Sequence, residues 1–199
     1  LAPLLIGLIG VADTFVVAVL SEKWIPCIPY LRILTLVFLV RPFTTTCQQS
    51  ILSVGRSDIT LKIEVVVNVV AIGILFFAVF VMESVLWVAY GTLAAEVVSM
   101  GMFMYYENRI IGYTYKEQLQ DLLPGISLAA CMGILVNLIR YVPINDGLTL
   151  VLQVIVGAVF YVTVSYLTQM DSFVYLIKML TEKSHNVKMK KILERLVKE

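Results

Sequence analysis

Six long apolar segments alternate with short polar turns along the chain. They cover about residues 1–20, 30–54, 59–81, 85–106, 122–139 and 148–168. A helix of about 20 apolar residues is long enough to cross the hydrocarbon core of a bilayer. The segments lack the strict alternation of barrel strands, and lipid offers no partner to unpaired backbone groups. The pattern therefore predicts an all-α, polytopic membrane helix bundle with six transmembrane helices.

The composition agrees with this prediction. Hydrophobic residues make up 60% of the 199 residues and charged residues 15%, whereas soluble domains carry about 25% charged residues. A globule of this size has too little interior to hide so much apolar surface. The chain starts inside an apolar segment, at Leu1, without a methionine or the basic region of a signal peptide. We therefore expect further helices to precede it.

Basic residues predict the orientation. The segment 169–199 is rich in lysine and arginine, which places the C-terminus in the cytoplasm. Counting back through six spans, the polar stretches 55–58 and 107–121 are also cytoplasmic. The apolar positions near the end follow a helical spacing and predict an amphipathic helix on the membrane surface. These positions are Met189, Ile192, Leu193, Leu196 and Val197.

Several polar residues fall inside the predicted spans. Such residues are costly in lipid and usually face a cavity or a partner. The candidates for lining a substrate cavity are Asp13, Arg41, Gln48, Gln49 and Glu96. The candidates for binding a coupling ion are Asp13, Glu64, Asn68 and Glu96.

Arg41 has the clearest chemical use among these candidates. A guanidinium recognises phosphate through paired, charge-assisted hydrogen bonds. Pro42 follows it directly and is expected to bend the helix there. The structural alternative is an ion pair between Arg41 and Asp13 or Glu96. The sequence does not separate a proton-carrying carboxylate from one held in such a pair.

Enzyme, metal and cofactor sites are not expected. Cys27, Cys47 and Cys131 lie far apart, and His185 is the one histidine. No nucleophile, phosphate-loop or metal-protease motif is present. Membrane lipid is the expected surrounding, and nothing in the sequence indicates a nucleic-acid partner.

Several passages carry a family resemblance. The turn after the first segment contains Glu22, Lys23 and Trp24, and the second turn contains Gly55, Arg56 and Asp58. Together with the opening Ala2-Pro3-Leu4 and residues 115–124, they resemble bacterial polysaccharide flippases of the O-antigen and capsule type. These flippases belong to the multidrug, oligosaccharidyl-lipid and polysaccharide exporter superfamily. Ser21 departs from the family, which usually has glycine there.

The resemblance implies a function that composition does not show. It implies a flippase that moves undecaprenyl-pyrophosphate-linked oligosaccharides across the bacterial inner membrane by alternating access between two lobes. It further implies that 1–106 holds the last four helices of the C-terminal transport lobe. Residues 107–168 would form a cytoplasmic loop and two appended helices, and 169–199 the basic tail. The implied partners are the lipid-linked oligosaccharide, a polysaccharide polymerase and glycosyltransferases.

Three alternatives remain open from the sequence. A drug or cation antiporter of the same superfamily would use an acidic and aromatic cavity. A membrane-embedded transferase or polymerase would need acidic or histidine-bearing loops, which are short or absent here. A scaffold without transport activity would use the polar residues only to hold its helices together.

Overall fold

The described part of the chain is almost entirely helical. The computed structural model describes residues 1–140 and 145–168. Its helices are α1 (Ala2–Phe15), α2 (Ile28–Ser53), α3 (Ser57–Phe80), α4 (Val85–Ile111), α5 (Tyr115–Ile139) and α6 (Asp146–Leu167). The prediction of an all-α bundle with six spanning helices is confirmed for these residues. The predicted amphipathic helix in 169–199 lies outside them.

Each helix presents most of its surface outward. All six are long and apolar enough to cross a membrane, α1 together with the π-helical turn Val16–Leu20. Only 11–28% of the residues in their most apolar windows are buried within the protein. Water would make so much exposed apolar surface very costly, at about 25 cal/mol per Å². Lipid chains are the medium that this surface fits.

Local signals set the ends of the helices. Pro3 and Pro29 occupy the first turns of α1 and α2, where a missing backbone N–H costs nothing. Gly112 ends α4 with a positive φ of 81°. The backbone N–H of Thr114 then donates to the Glu117 carboxylate over 2.9 Å at the start of α5. The charged stretch 107–121 is therefore mostly helical, and the connection between α4 and α5 is only Gly112 to Thr114.

The helices pack as two groups. In one group α4 packs against both α2 and α3, and in the other α5 packs against both α1 and α6. The groups meet mainly where α1 contacts α2, whereas α4 and α5 barely touch. The first helix thus packs with the last two helices in space. The division of the chain at residue 106 stays a prediction.

Glycine allows the closest approach, between α1 and α5. A Cβ on Gly10 would lie 2.9 Å from the carbonyl oxygen of Gly133, and one on Gly133 would lie 2.8 Å from Ile6. Close backbone contact through small residues is the usual way for helices to associate in lipid, where the hydrophobic effect gives no net attraction. A polar contact supports α6 on the same group, because the buried Gln153 amide donates to the Val136 carbonyl over 3.0 Å.

Candidate functional site

A row of polar side chains runs along one face of α2. Arg41, Thr45, Gln48 and Gln49 follow the spacing i, i+4, i+7 and i+8, which places them on one side of a helix. Gln48 is half-buried and the others are exposed. We call these four residues the polar stripe. Lipid chains do not solvate such a face, so within a membrane span it needs water or a polar ligand.

The polar stripe connects to α3 through a hydrogen bond. The Gln48 Nε2 donates to the Glu64 Oε1 over 2.7 Å. The structure therefore joins one candidate for lining the cavity with one candidate for binding an ion. Asn68, one turn beyond Glu64, is exposed and lines a separate cavity of about 180 Å³ between α3 and α4.

Arg41 is available to a ligand. Its guanidinium is exposed, and it forms no ion pair or hydrogen bond with any residue the structure describes. The alternative that paired Arg41 with Asp13 or Glu96 is therefore wrong within 1–140 and 145–168. The nearby threonines serve the backbone instead: Thr45 donates to the Arg41 carbonyl over 2.9 Å, and Thr46 to the Pro42 carbonyl over 2.8 Å. They support the helix around a proline that cannot donate.

Asp13 lies away from the polar stripe and holds three helices together. Its Oδ2 accepts from Arg32 on α2 over 2.7 Å and also from Arg140, just after α5. We call this arrangement the ion bridge. The Asp13 side chain is only 14% exposed, while both arginines are substantially exposed. The ion bridge connects the two helix groups, and the assignment of Asp13 to a substrate cavity or a coupling ion stays a prediction.

Glu96 remains separate from both arrangements. It is half-buried on α4, and its Oε1 is buried without a hydrogen-bond partner in the described residues. No hydrogen bond or ion pair between described residues connects it to the polar stripe. Its assignment to a substrate cavity or a coupling ion stays a prediction.

The residues of the family-like turns lie at the surface. Glu22, Lys23 and Trp24 are exposed in the short 3₁₀ helix Glu22–Cys27. At the second turn, Gly55 adopts a φ of 79°, and the Arg56 Nε donates to the Asp58 Oδ1 over 3.2 Å. Gly55 is thus needed for the turn that reverses the chain between α2 and α3.

Ser21 adopts a backbone conformation that favours glycine. Its φ is 86° and its ψ is 162°, a region that residues with a Cβ rarely enter. The departure from the family at this position therefore carries a conformational cost. Trp24 N donates to the Ser21 carbonyl over 3.1 Å, which fixes the tight turn.

Sequence reasoning missed a second polar site, at the end of the bundle where α4 passes into α5. A cavity of about 250 Å³ there is lined by side chains of α2, α4, α5 and the connecting turn. We call it the acidic cavity, after Glu107 and Asp121 in its wall. Glu107 is 4% exposed and Gln118 is 5% exposed. One signal was present: Glu107 follows the buried Phe103 by one helical turn and so belongs to the inward face of α4.

An apolar groove of about 530 Å³ runs between α1, α5 and α6. Val11, Phe15, Met132, Val136 and Tyr161 are among its lining residues. Its wall is almost entirely hydrocarbon, so it fits the chains of a lipid rather than a polar solute.

The fold and these surfaces define a multi-pass membrane protein. Among curated proteins, the chain is similar to the teichuronic acid biosynthesis protein TuaB of Bacillus subtilis (strain 168), at 29% identity over 133 residues. The aligned part covers 67% of this chain and 27% of that protein. The chain thus spans well under half the length of this relative. No protein-family model and no solved structure matches the chain.

Proposed function

We propose that the chain is part of a flippase that moves lipid-linked polysaccharide units across the cytoplasmic membrane by alternating access. One observation carries the proposal: the polar stripe exposes a guanidinium, a hydroxyl and two amides within a helix that is otherwise suited to lipid. The similarity to a protein of teichuronic acid biosynthesis supports a role in making a polysaccharide.

Arg41 is the residue proposed to bind the charged part of the substrate. A lipid-linked sugar unit carries a pyrophosphate, which must be neutralised and hydrogen-bonded to cross a region of low dielectric. Because no described carboxylate pairs with Arg41, its charge is free for an anionic ligand. Gln48 and Gln49 lie two turns away on the same face, where their amides suit sugar hydroxyls.

The same charge argues against the antiporter alternative. A binding surface for a cationic drug would place its carboxylates without cations beside them. Asp13 has two arginines beside it in the ion bridge, whereas Glu64 accepts only from the neutral Gln48 amide and Glu96 has no ion pair among the described residues. The one free charge of the polar stripe is positive, which favours an anionic substrate.

The sequence alone supplies the finer features of the proposed function. An O-antigen or lipopolysaccharide unit, an inner-membrane location and a cytoplasmic C-terminus stay predictions. So do the partnerships with a polysaccharide polymerase and glycosyltransferases. The apolar groove suits the chain of a lipid-linked substrate but equally suits any membrane lipid, so it adds no specificity.

Thiol accessibility in the full-length protein tests whether the polar stripe faces water. Cys27, Cys47 and Cys131 are first replaced by alanine. Gln48→Cys is then compared with Val69→Cys, since Val69 is 64% exposed near the middle of α3 and is expected to face lipid. A membrane-impermeant thiol reagent should label the first variant and leave the second unlabelled. If the reagent labels neither variant, the polar stripe does not face water.

Export by Arg41 variants tests the substrate contact. Arg41→Ala is expected to abolish surface polysaccharide at normal protein level, and Arg41→Lys to restore part of it, because lysine keeps the charge but loses the paired geometry. Arg109→Ala is the matched control, since this arginine is exposed in the last turn of α4. Normal export by Arg41→Ala would rule out the proposed role.

A further inference from the structure

The acidic cavity contains two buried polar atoms that no described group satisfies. They are the Glu107 Oε2 and the Gln118 Oε1. Glu107 lies in the last turn of α4 and Gln118 in the first turn of α5, and both side chains line the cavity. A buried acceptor without a partner costs about 1–3 kcal/mol, and more when it is charged. Two such acceptors around one cavity need a hydrogen-bond donor or a cation in the space between them.

Among residues 1–140 and 145–168, no positively charged side chain lines this cavity. The titratable groups that face Glu107 are Cys47 from α2, Tyr113 from the connecting turn and Asp121 from α5. A buried carboxylate without a cationic side chain beside it is stabilised when it binds a cation. The described residues contain no group of three metal-ligating side chains close enough to form a metal centre.

Tyr113 belongs to the same cluster of polar groups around the cavity. Its hydroxyl donates to the Asp121 carboxylate, and this bond, together with partial burial and the charges of Asp121, Glu107 and Glu117, raises the pKa of Tyr113 to about 12. The backbone carbonyl of Tyr113 also accepts from the Gln118 Nε2 over 3.0 Å. That bond fixes the Gln118 side chain and leaves its oxygen as the free atom.

We propose that the acidic cavity binds a small inorganic cation, of about the size of sodium, between the Glu107 carboxylate and the Gln118 amide oxygen. Oxygen donors of this kind suit hard cations, and the cavity has room for accompanying water. The bound cation links α4 of one helix group to α5 of the other. This site does not depend on what the protein transports.

The test measures stability of the full-length protein in detergent, with sodium chloride exchanged for choline chloride at constant ionic strength. A ligand that binds only the folded state raises the free energy of unfolding with the logarithm of its concentration over its Kd, and the unfolding temperature rises with it. Sodium is expected to stabilise the wild type relative to choline, because a sodium-sized ion fills the cavity and choline is too large to replace it.

Substitutions in the cavity test whether the stabilisation by sodium arises at this site. Glu107→Gln is expected to remove it, with a loss of cation affinity of at least about tenfold, or about 1.4 kcal/mol. Asp121→Asn keeps an acceptor for Tyr113 at an exposed position and is expected to weaken the response without affecting folding. Glu83→Gln, an exposed acid in the turn between α3 and α4, is the matched control and should leave the response intact.

Two outcomes would overturn the proposal. One is a wild type that sodium does not stabilise relative to choline. The other is a response that survives unchanged in both Glu107→Gln and Asp121→Asn. This readout is independent of polysaccharide export, so failure here is distinguishable from failure of the proposed transport function.

Discussion

The ion bridge allows a quantitative prediction about how the two helix groups are held together. Asp13→Asn removes the negative charge that lies between Arg32 and Arg140. Two unit charges 4 Å apart attract by about 4 kcal/mol at an effective dielectric of about 20. The arginine side chains are 38% and 52% exposed, and solvent-exposed pairs yield only about 0.2–1 kcal/mol.

The two ion pairs of the ion bridge should therefore contribute unequally to the free energy of unfolding. The pair with Arg32 is the less exposed and is assigned about 1–2 kcal/mol, and the pair with Arg140 about 0.5 kcal/mol. The loss on Asp13→Asn is expected to be about 2 kcal/mol, since the two remaining guanidiniums also repel each other once the carboxylate is gone.

Unfolding of the full-length protein in mixed detergent and SDS micelles provides the assay. Double-mutant cycles combine Asp13→Asn with Arg32→Gln and with Arg140→Gln, and the first cycle should show the larger coupling energy. Added salt should weaken the Arg140 coupling first, because that side chain is the more exposed. Asp58→Asn, which removes an exposed pair with Arg56, serves as the control and should cost less.

Ordinary surface substitutions change the free energy of unfolding by less than about 0.5 kcal/mol. A change no larger than this for Asp13→Asn would refute the stabilising role of the ion bridge. Equal coupling to both arginines would refute the reasoning from exposure.

Three further predictions concern the backbone and the acidic cavity. Ser21→Gly should raise the free energy of unfolding by about 1 kcal/mol, because relief of the strained φ exceeds the entropy that glycine adds to the unfolded chain; unchanged or lower stability in SDS titration would contradict this. Gly10→Ala should lower it by about 1–3 kcal/mol, since the new Cβ meets a backbone carbonyl at 2.9 Å, whereas Gly73→Ala enters open space and should be tolerated. Asp121→Asn should lower the pKa of Tyr113, read from phenolate absorbance, from about 12 toward the ordinary 10.0. Loss of the negative charge weakens the interaction that favours the neutral phenol, and Tyr113→Phe identifies the signal in the titration.

The spanning helices could be predicted because one local property determines them. A run of apolar residues of sufficient length has few alternatives in lipid, so hydropathy located all six described helices. Hydropathy identifies the residues that lie in the hydrocarbon core, however, and does not identify where a helix continues beyond that core. This is why α4 and α5 extend beyond the predicted spans, through the charged residues 107–111 and 115–121.

The polar contacts could be predicted only in part. Arg41, Gln48 and Gln49 could be selected because each is a polar residue inside the same apolar segment. The partners of Asp13 were not found, because Arg140 is 127 residues away in sequence and no local pattern reports which helices become neighbours. Glu107 was assigned to a loop for a related reason: its burial depends on α2 and α5, which the sequence does not place beside it.

The unequal contacts between the two helix groups have a mechanical consequence. The α1, α5 and α6 group is anchored where α1 meets α2 and at the ion bridge, while its other end is tied to α4 by a turn of three residues. A helix of 25 residues such as α5 is about 38 Å long, so a tilt of about 5° at the anchored end displaces the far end by about 3 Å. The end of α5 that such a tilt would displace most lies beside Glu107.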